Sequence, residues 1–335
     1  MSTNKPQSRP PLRWMLIAVA VLIVRMPVSA EAVDHSTPAR TRLPYLNAVE
    51  MLSSTDGWIV GQTGAIRHWN GSDWTTVSSP TTAWLGDLAF TSPVDGWIVG
   101  GAGTTLHWDG AAWTSVANPT AFDIRSVDML TANSGWAVGG SYDQGYQTIL
   151  RWDGSQWRMI SEKPGMNLHS VDMLSETNGW AVGEYGAILH WNGATWDSVQ
   201  SPVMHDLYSI QMLSPNDGWA VGGDWYYMAS SILHWDGLAW TIAGDVDALL
   251  FDTDFVSQSD GWAVGHGRSL VHWDGTQWTV VAAPQWLPSL HGVAMVSGSD
   301  GWAVGGEDAV LRWDGLRWKR FPSASTIRLP LIMRN

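Results

Sequence analysis

A chain of 335 residues with 25 Trp and 35 Gly against 5 Phe and no Cys is far from average usage, and such bias marks a short motif copied many times. A hydrophobic content of 45% excludes general disorder, and a formal charge of −13 without a basic cluster excludes a nucleic-acid backbone as partner. With no cysteine, no disulfide can constrain the unfolded chain, so packing alone must stabilise the fold.

Residues 1–30 read as a secretory signal peptide. Lys5, Arg9 and Arg13 form a positive opening, residues 14–24 are an apolar run of 11, and Val28-Ser29-Ala30 offers a small-residue cleavage site. The run is shorter than the roughly 20 residues that span a bilayer. A secreted or cell-surface protein with no integral span after cleavage is therefore expected, an uncleaved anchor being the alternative because Arg25 sits near the cleavage site. Removal of this segment leaves 14 basic against 31 acidic residues, a net charge of −17. Residues 31–45 lead into the repeats.

Gly-Trp recurs at 57–58, 96–97, 135–136, 179–180, 218–219, 261–262 and 301–302. Eleven or sixteen residues after each of these tryptophans stands a second: Trp69, Trp108, Trp152, Trp191, Trp235, Trp273 and Trp313. Five residues later comes a third: Trp74, Trp113, Trp157, Trp196, Trp240, Trp278 and Trp318. These registers hold 21 of the 25 tryptophans. Within repeat four, runs at 168–174, 179–183, 187–191 and from 196 are short, rich in Val, Ile and Trp, and bounded by Gly, Asn and Asp, as strands are. The last two runs of every repeat are joined by Asn-Gly or Asp-Gly, a hairpin signal because both residues must tolerate positive φ, in a loop of two residues or four. Four-stranded meanders that are apolar on both faces must be covered on both sides, and a ring of blades does this. The fold expected over residues 46–322 is all-β: a seven-bladed β-propeller with four antiparallel strands per blade. The repeats begin in the innermost strand and end in the outermost, so closure should need no blade shared between the termini.

The sequence Gly-Trp-Ala-Val-Gly, then Ile-Leu-His, then Asp-Gly and Trp resembles the repeat of the photosystem II assembly-factor propellers and their secreted bacterial relatives. It is also similar to the Asp-box hairpin of sialidases. The resemblance covers about residues 46–322 and implies a propeller. Its hairpin departs from both families: His107-Trp108-Asp109-Gly110-Ala111-Ala112-Trp113 is shorter, with Trp where those families have a hydroxyl residue. The fold carries over, and the specialised function of either family does not follow from it.

Residues present in every copy build the blade, and departures from the repeat are where function enters. His68, His107, His190, His234 and His272 share one register with Arg151 and Arg312. Copies one blade apart cannot ligate one ion, so a structural hydrogen bond is expected of them and no metal site. Glu50, Asp128, Asp172 and Asp254 form an inner-strand register with Ala89, Gln211 and Ala294. They either bond inner-strand backbone, the favoured reading, or line the channel for a cation. Length varies on one face alone, where blades three and five carry five extra residues at 140–148 and 223–231. Tyr142, Asp143, Tyr146, Asp224, Trp225, Tyr226 and Tyr227 lie there, and Glu184 and Tyr185 occupy the equivalent short turn of blade four. Loops on a rigid scaffold carry binding residues, and aromatics interspersed with carboxylates suit a glycan, peptide or protein surface. These nine residues are the expected ligand site, as one contiguous patch. Trp84 and Trp286, in the segments before blades two and seven, are a second candidate.

No Ser-His-Asp elbow, zinc-ligand spacing or phosphate-binding glycine loop occurs, so neither catalysis nor a cofactor is expected. A non-catalytic extracellular binding or scaffold propeller is the reading adopted. A sialidase-like hydrolase is the alternative, but Arg67, Arg151 and Arg312 stand in repeat registers instead of unique positions, and sialidases have six blades. A membrane-protein assembly factor is what the family resemblance alone implies. Residues 323–335 form a tail beyond the last blade, in which Pro330 bars a central strand.

Overall fold

A computed structural model describes residues 44–322 apart from Tyr227; the segments read as signal peptide and C-terminal tail lie outside the described residues. The described chain forms seven four-stranded antiparallel sheets, each in the plain order first, second, third, fourth strand. In blade one these are Leu46–Ser53, Asp56–Gly61, Ile66–Trp69 and Trp74–Thr76. The innermost strands of the other blades are Leu85–Ser92, Asp123–Thr131, Leu168–Ser175, Asp206–Ser214, Leu250–Ser257 and Leu290–Ser297. Helical structure among the described residues is confined to five single 3-10 turns between second and third strands. None is long and apolar enough to cross a membrane.

The tryptophan registers meet across blade interfaces. The Gly-Trp tryptophan of one blade packs on both hairpin tryptophans of the next. Trp97 lies 4.6 Å from Trp152 and meets Trp157 edge-on at 5.2 Å and 87°. The same triad recurs as Trp136 with Trp191 and Trp196, and Trp180 with Trp235 and Trp240. Ring closure repeats it: Trp302 of blade seven stands 4.8 Å from Trp69 and 5.2 Å from Trp74 of blade one. Leu46 and Val49 join Val304 and Val310 in the same core cluster, so the ends of the ring pack blade on blade without exchange of a strand. Tilted and edge-on ring pairs each add about 0.5–1.5 kcal/mol beyond area burial. The glycine before each first-register tryptophan is dictated by close approach. A Cβ on Gly57 would stand 2.4 Å from the sulfur of Met51, and one on Gly96 would stand 2.4 Å from the Phe90 ring.

The hairpin takes the longer of the two loops and uses positive φ at one residue of the dipeptide. Only its glycine has positive φ, 91° at Gly71 and 87° at Gly110; the preceding Asn or Asp does not. The reason is a side-chain turn. Asp109 Oδ1 accepts the N–H groups of Ala111 and Ala112, both at 2.9 Å, and Asn70 does the same for Ser72 and Asp73. The loop therefore has four residues between paired tryptophans, and the carboxylate or amide takes over donors that a tighter turn would leave to the backbone. The second-register indole then ties the hairpin down, Trp191 Nε1 donating to the carbonyl of Glu176 at 2.9 Å.

The histidine register is structural. His107 Nε2 lies 2.7 Å from Asp95 and His272 Nε2 lies 2.8 Å from Asp260, and each imidazole packs at a tilt against the first-register tryptophan of its own blade. Arg312 keeps the pairing with Asp300, whereas Arg151 turns to Glu176 of the next blade because Ser134 replaces the aspartate.

The long segments of blades three and five are mostly paired strand, not loop. In blade three the second strand runs Ser134–Ser141 and the third Tyr146–Trp152, leaving a four-residue turn. Blade five does likewise with Asp217–Asp224 and Ala229–Trp235. Extending the ladder satisfies backbone groups that an open loop would leave unpaired.

The triads make each hairpin tryptophan part of an interface. Trp191→Ala should lower the unfolding free energy by about 3–5 kcal/mol, through lost burial and the cavity left against Trp136. Urea denaturation measures this, and a change under about 1 kcal/mol would show that the interface collapses to fill the space.

Candidate binding site at the channel mouth

The seven inner strands surround a central channel. Each has a buried Leu or Ile as its first or second residue, followed by a slip of one residue in pairing with the second strand, as between Leu46 and Ala48 or Leu250 and Asp252. Such a bulge re-aims a side chain, and in blades one to six two successive residues line the mouth. The first of the pair is Asn47, Gly86, Arg125, His169, Tyr208, Phe251 or, in blade seven, His291. These lie on the face that carries the turns between second and third strands and the inter-blade segments. The two kinds of segment touch there: a Cβ on Gly64 would lie 1.9 Å from the carbonyl of Thr81.

The rim side chains form an aromatic arc over four blades. His169 and Tyr208 stack at 5.1 Å and 6°, Tyr208 meets Phe251 edge-on at 5.6 Å, and Phe251 stacks on His291 at 5.1 Å and 5°. Tyr45 closes its end, 6.0 Å from His291. Burial holds both histidines neutral, with values near about 4, aided by Arg125 for His169 and by His266 for His291. His169 Nδ1 must then carry its proton, since it donates to the Leu207 carbonyl at 3.1 Å. Across the mouth, Trp84 folds over Gly86 and Gly101, where a Cβ would come within 2.6 Å and 2.4 Å of its ring, and fills the empty rim position of blade two. The Arg125 guanidinium sits 5.9 Å from that indole. Between these walls lies a cavity of about 520 Å³.

Below the rim the channel is acidic. Asp87 and Asp252 share a rung with Ser126, Ser170 and Ser209, and Glu50, Asp128, Asp172 and Asp254 share the next with Gln211. The favoured reading of this lower register agrees with the hydrogen bonds. Glu50 accepts the N–H of Phe90, Asp128 that of Met173, Asp172 that of Met212 and Asp254 that of Met295, always on the next inner strand. Asp87 and Asp252 do the same for Val127 and Val293. Burial raises all six carboxyls: Asp172 and Asp252 to about 7, Asp128 and Asp254 to about 6, Glu50 well above its usual range and Asp87 above its own. Among the described residues no cluster of three or more His, Cys, Asp or Glu has the geometry to hold a metal ion.

The residues singled out from loop length are placed unevenly. Trp225 stands beside the mouth, 5.5 Å from Phe251 and 5.5 Å from His266, and its indole donates to the Tyr208 hydroxyl. That hydroxyl donates to Asp206 Oδ2 at 3.2 Å, while Asp206 Oδ1 accepts the N–H of Tyr185 at 2.9 Å. Blades four and five therefore converge on Tyr208. Glu184 is buried and accepts the N–H of Asn167, and Asp224 accepts that of Tyr226 and lies 3.8 Å from His205. Tyr146 of blade three instead packs on Phe122 at 5.4 Å, with Tyr142 and Asp143 exposed in the turn above. Among the described residues no hydrogen bond or ring contact joins those three to the blade-five turn; Tyr227 lies outside the described residues. Of the second candidates, Trp84 lines the mouth, whereas Trp286 lies 5.1 Å from Arg320 of an outer strand.

No protein-family model and no curated protein matches this sequence. Solved propellers do. One described as YCF48 bound to D1 peptide superposes with a TM-score of 0.65 at 16% identity, covering 82% of this chain and 94% of that one. YCF48 from Cyanidioschyzon merolae gives 0.63 at 16%, covering 82% and 96%. The WD40 propeller domain of Doa1 gives 0.66 at 13%, covering 81% and 92%. At these identities the likeness is one of fold.

The channel carboxyls set a pH dependence of stability. The folded chain keeps these protons to higher pH than the unfolded chain, so their contribution is full below pH about 4 and is lost as pH rises through the folded values. Asp172→Asn keeps an acceptor for the Met212 N–H and removes the charge, as Gln211 already does for Phe255. Its melting temperature should exceed that of the parent by a few degrees at pH 8 and by clearly less at pH 5. A lower value at pH 8 would show that the anion is the stabilising form.

Proposed function

We propose that this chain is an exported, non-catalytic binding propeller that takes an extended peptide segment across the mouth of its channel. The observation that carries this reading is where sequence variety falls. Seven copies of one blade present Asn47, Gly86, Arg125, His169, Tyr208, Phe251 and His291 at one structural position, and these converge on a single cavity. A repeated scaffold with a divergent rim is what selection for a ligand would leave. The cavity of about 520 Å³ lies within the range of ligand sites, and its aromatic arc with a few polar groups is the usual composition of one. The serines of the rung below offer hydroxyls to a peptide backbone, and one solved propeller of this fold is described as bound to a peptide. Export is supported by the signal-like residues 1–30.

Against a sialidase-like reaction stands the use of the arginines. Arg67 pairs with Asp308, Arg151 with Glu176 and Arg312 with Asp300, all within or between blades. That leaves Arg125 as the arginine lining the mouth, where a substrate carboxylate would need three.

The chain from residue 31, probed on peptide and glycan arrays, tests the reading. Peptides should bind, and Trp225→Ala should weaken them by about 1–3 kcal/mol, the range for truncating a good anchor. Its melting temperature should hardly move, because this indole is half exposed on a turn. Binding to glycans alone, or peptide binding indifferent to Trp225, would overturn it.

A further inference from the structure

The mouth opens into a second cavity of about 350 Å³, and Asp87, Ser126, Ser170, Ser209 and Asp252 line both. The two spaces are one shaft, with the aromatic arc at its entrance and two rungs of carboxylates below. Its lining holds seven acidic side chains, Asp123 at the rim and the six described above, against the single guanidinium of Arg125.

One of the seven differs in its bonding. The aspartates below the rim are held by the next inner strand, and Asp252 and Asp254 gain second donors from Ser209 and Gln211. Glu50 is one methylene longer. Its Oε1 takes the Phe90 N–H, as its register requires, and its Oε2 is left fully buried against the shaft with no donor in the protein. A buried carboxylate oxygen without a donor costs free energy that an incoming N–H would recover. The shaft walls cannot supply one: the rungs offer carboxylates and hydroxyls, and no lysine or arginine reaches the lower cavity.

Resting on the peptide-binding reading above, we propose that the shaft is a socket for one cationic side chain of the bound peptide, an arginine or a lysine, which passes the aromatic arc and ends against Glu50. Both parts of such a side chain find a match. The methylenes lie along Phe251, Tyr208 and the stacked histidines, whose ring faces also attract a cation. The charged end supplies the donor that Glu50 Oε2 lacks, with Asp128 and Asp254 nearby. Arg125 stands at the rim beside Trp84, where it opposes a cation only at the entrance. The same geometry couples binding to pH. The cation favours ionised Glu50, Asp87, Asp128, Asp172, Asp252 and Asp254, so it displaces their protons and binds more tightly as pH rises. Among the other titratable groups lining the mouth, His169 and His291 are already neutral above pH about 5.

The probes are fluorescein-labelled acetyl-X-X-Arg-X-X-amide libraries, with Lys, citrulline or norleucine in place of Arg, followed by fluorescence polarisation with the chain from residue 31. The Arg and Lys libraries should bind at least tenfold tighter than the citrulline and norleucine libraries at pH 8, and should lose that advantage at pH 5. Glu50→Gln should cut that preference about tenfold at pH 8 without lowering the melting temperature. Asp252→Asn provides the same measurement at the upper rung. Equal binding of Arg and citrulline libraries that Trp225→Ala still weakens would overturn the cation socket and leave the peptide site standing. Argininamide binding as tightly as the Arg library would overturn the peptide site and assign the socket to a free organic cation. If none of the libraries binds, both readings fall.

Discussion

The structure depends on one contact made seven times: the indole of Gly-Trp in one blade wedged between the two hairpin indoles of the next. A blade alone is a small sheet with apolar residues on both faces and cannot bury either. The triad covers one face of each blade with the edge and face of its neighbour's tryptophans. Because Trp302 meets Trp69 and Trp74 as Trp58 meets Trp108 and Trp113, the chain closes without a special seam. Rigid, large aromatics with two rotatable bonds lose little side-chain entropy for the area they bury, which suits an interface that must be the same seven times without disulfides. The indole N–H of each second-register tryptophan then pins the hairpin to the turn on the same blade, so interface and blade are fixed together.

That rigidity is what frees the inner strands. Their apolar positions, such as Leu46, Val49 and Met51, serve the blade interfaces, while the bulge after the first of them hands one or two residues per blade to the channel. The rim residue of each pair lies outside the apolar clusters between blades and so can differ. The outcome is a mouth with an aromatic half and a polar half, above carboxylates that the next blade's backbone N–H groups hold in place. Burial raises the pKa of these groups despite such bonds, because each bond replaces only part of the water that a free carboxylate would have. The shaft is therefore poised to change charge near neutral pH, which links what it binds to the protonation of the ring that holds it.

Much of this was legible in the residues. The seven Gly-Trp pairs and their partners at fixed offsets determine the number of blades, the strand count and the order of strands, because a side chain that recurs in every copy must answer a contact that recurs in every copy. The direction of the histidine register was legible for the same reason: His107 and Asp95 occur together twelve residues apart, and blade four swaps the aspartate for Asn178 without losing the bond. The hairpin was legible as a turn but not in its conformation, since Asp-Gly fits both a two-residue turn and the four-residue turn that the aspartate side chain builds.

The site was legible only in part. Unequal loop length drew attention to Trp225, Glu184 and Tyr185, which do meet near Tyr208, and to Tyr146, which packs on Phe122, and Tyr142, which is exposed. The stronger signal lay in residues 47, 86, 125, 169, 208, 251 and 291, one register in which seven copies hold six residue types. In the sequence that position looks like an ordinary strand residue that follows an apolar one. The period of a chain fixes which neighbours recur, so the repeat by itself determined the ring and its tryptophan interfaces. Which side chains face one another across the axis depends on a one-residue slip in each inner strand and on distances between blades some 40 residues apart in sequence, and only the closed ring decides those.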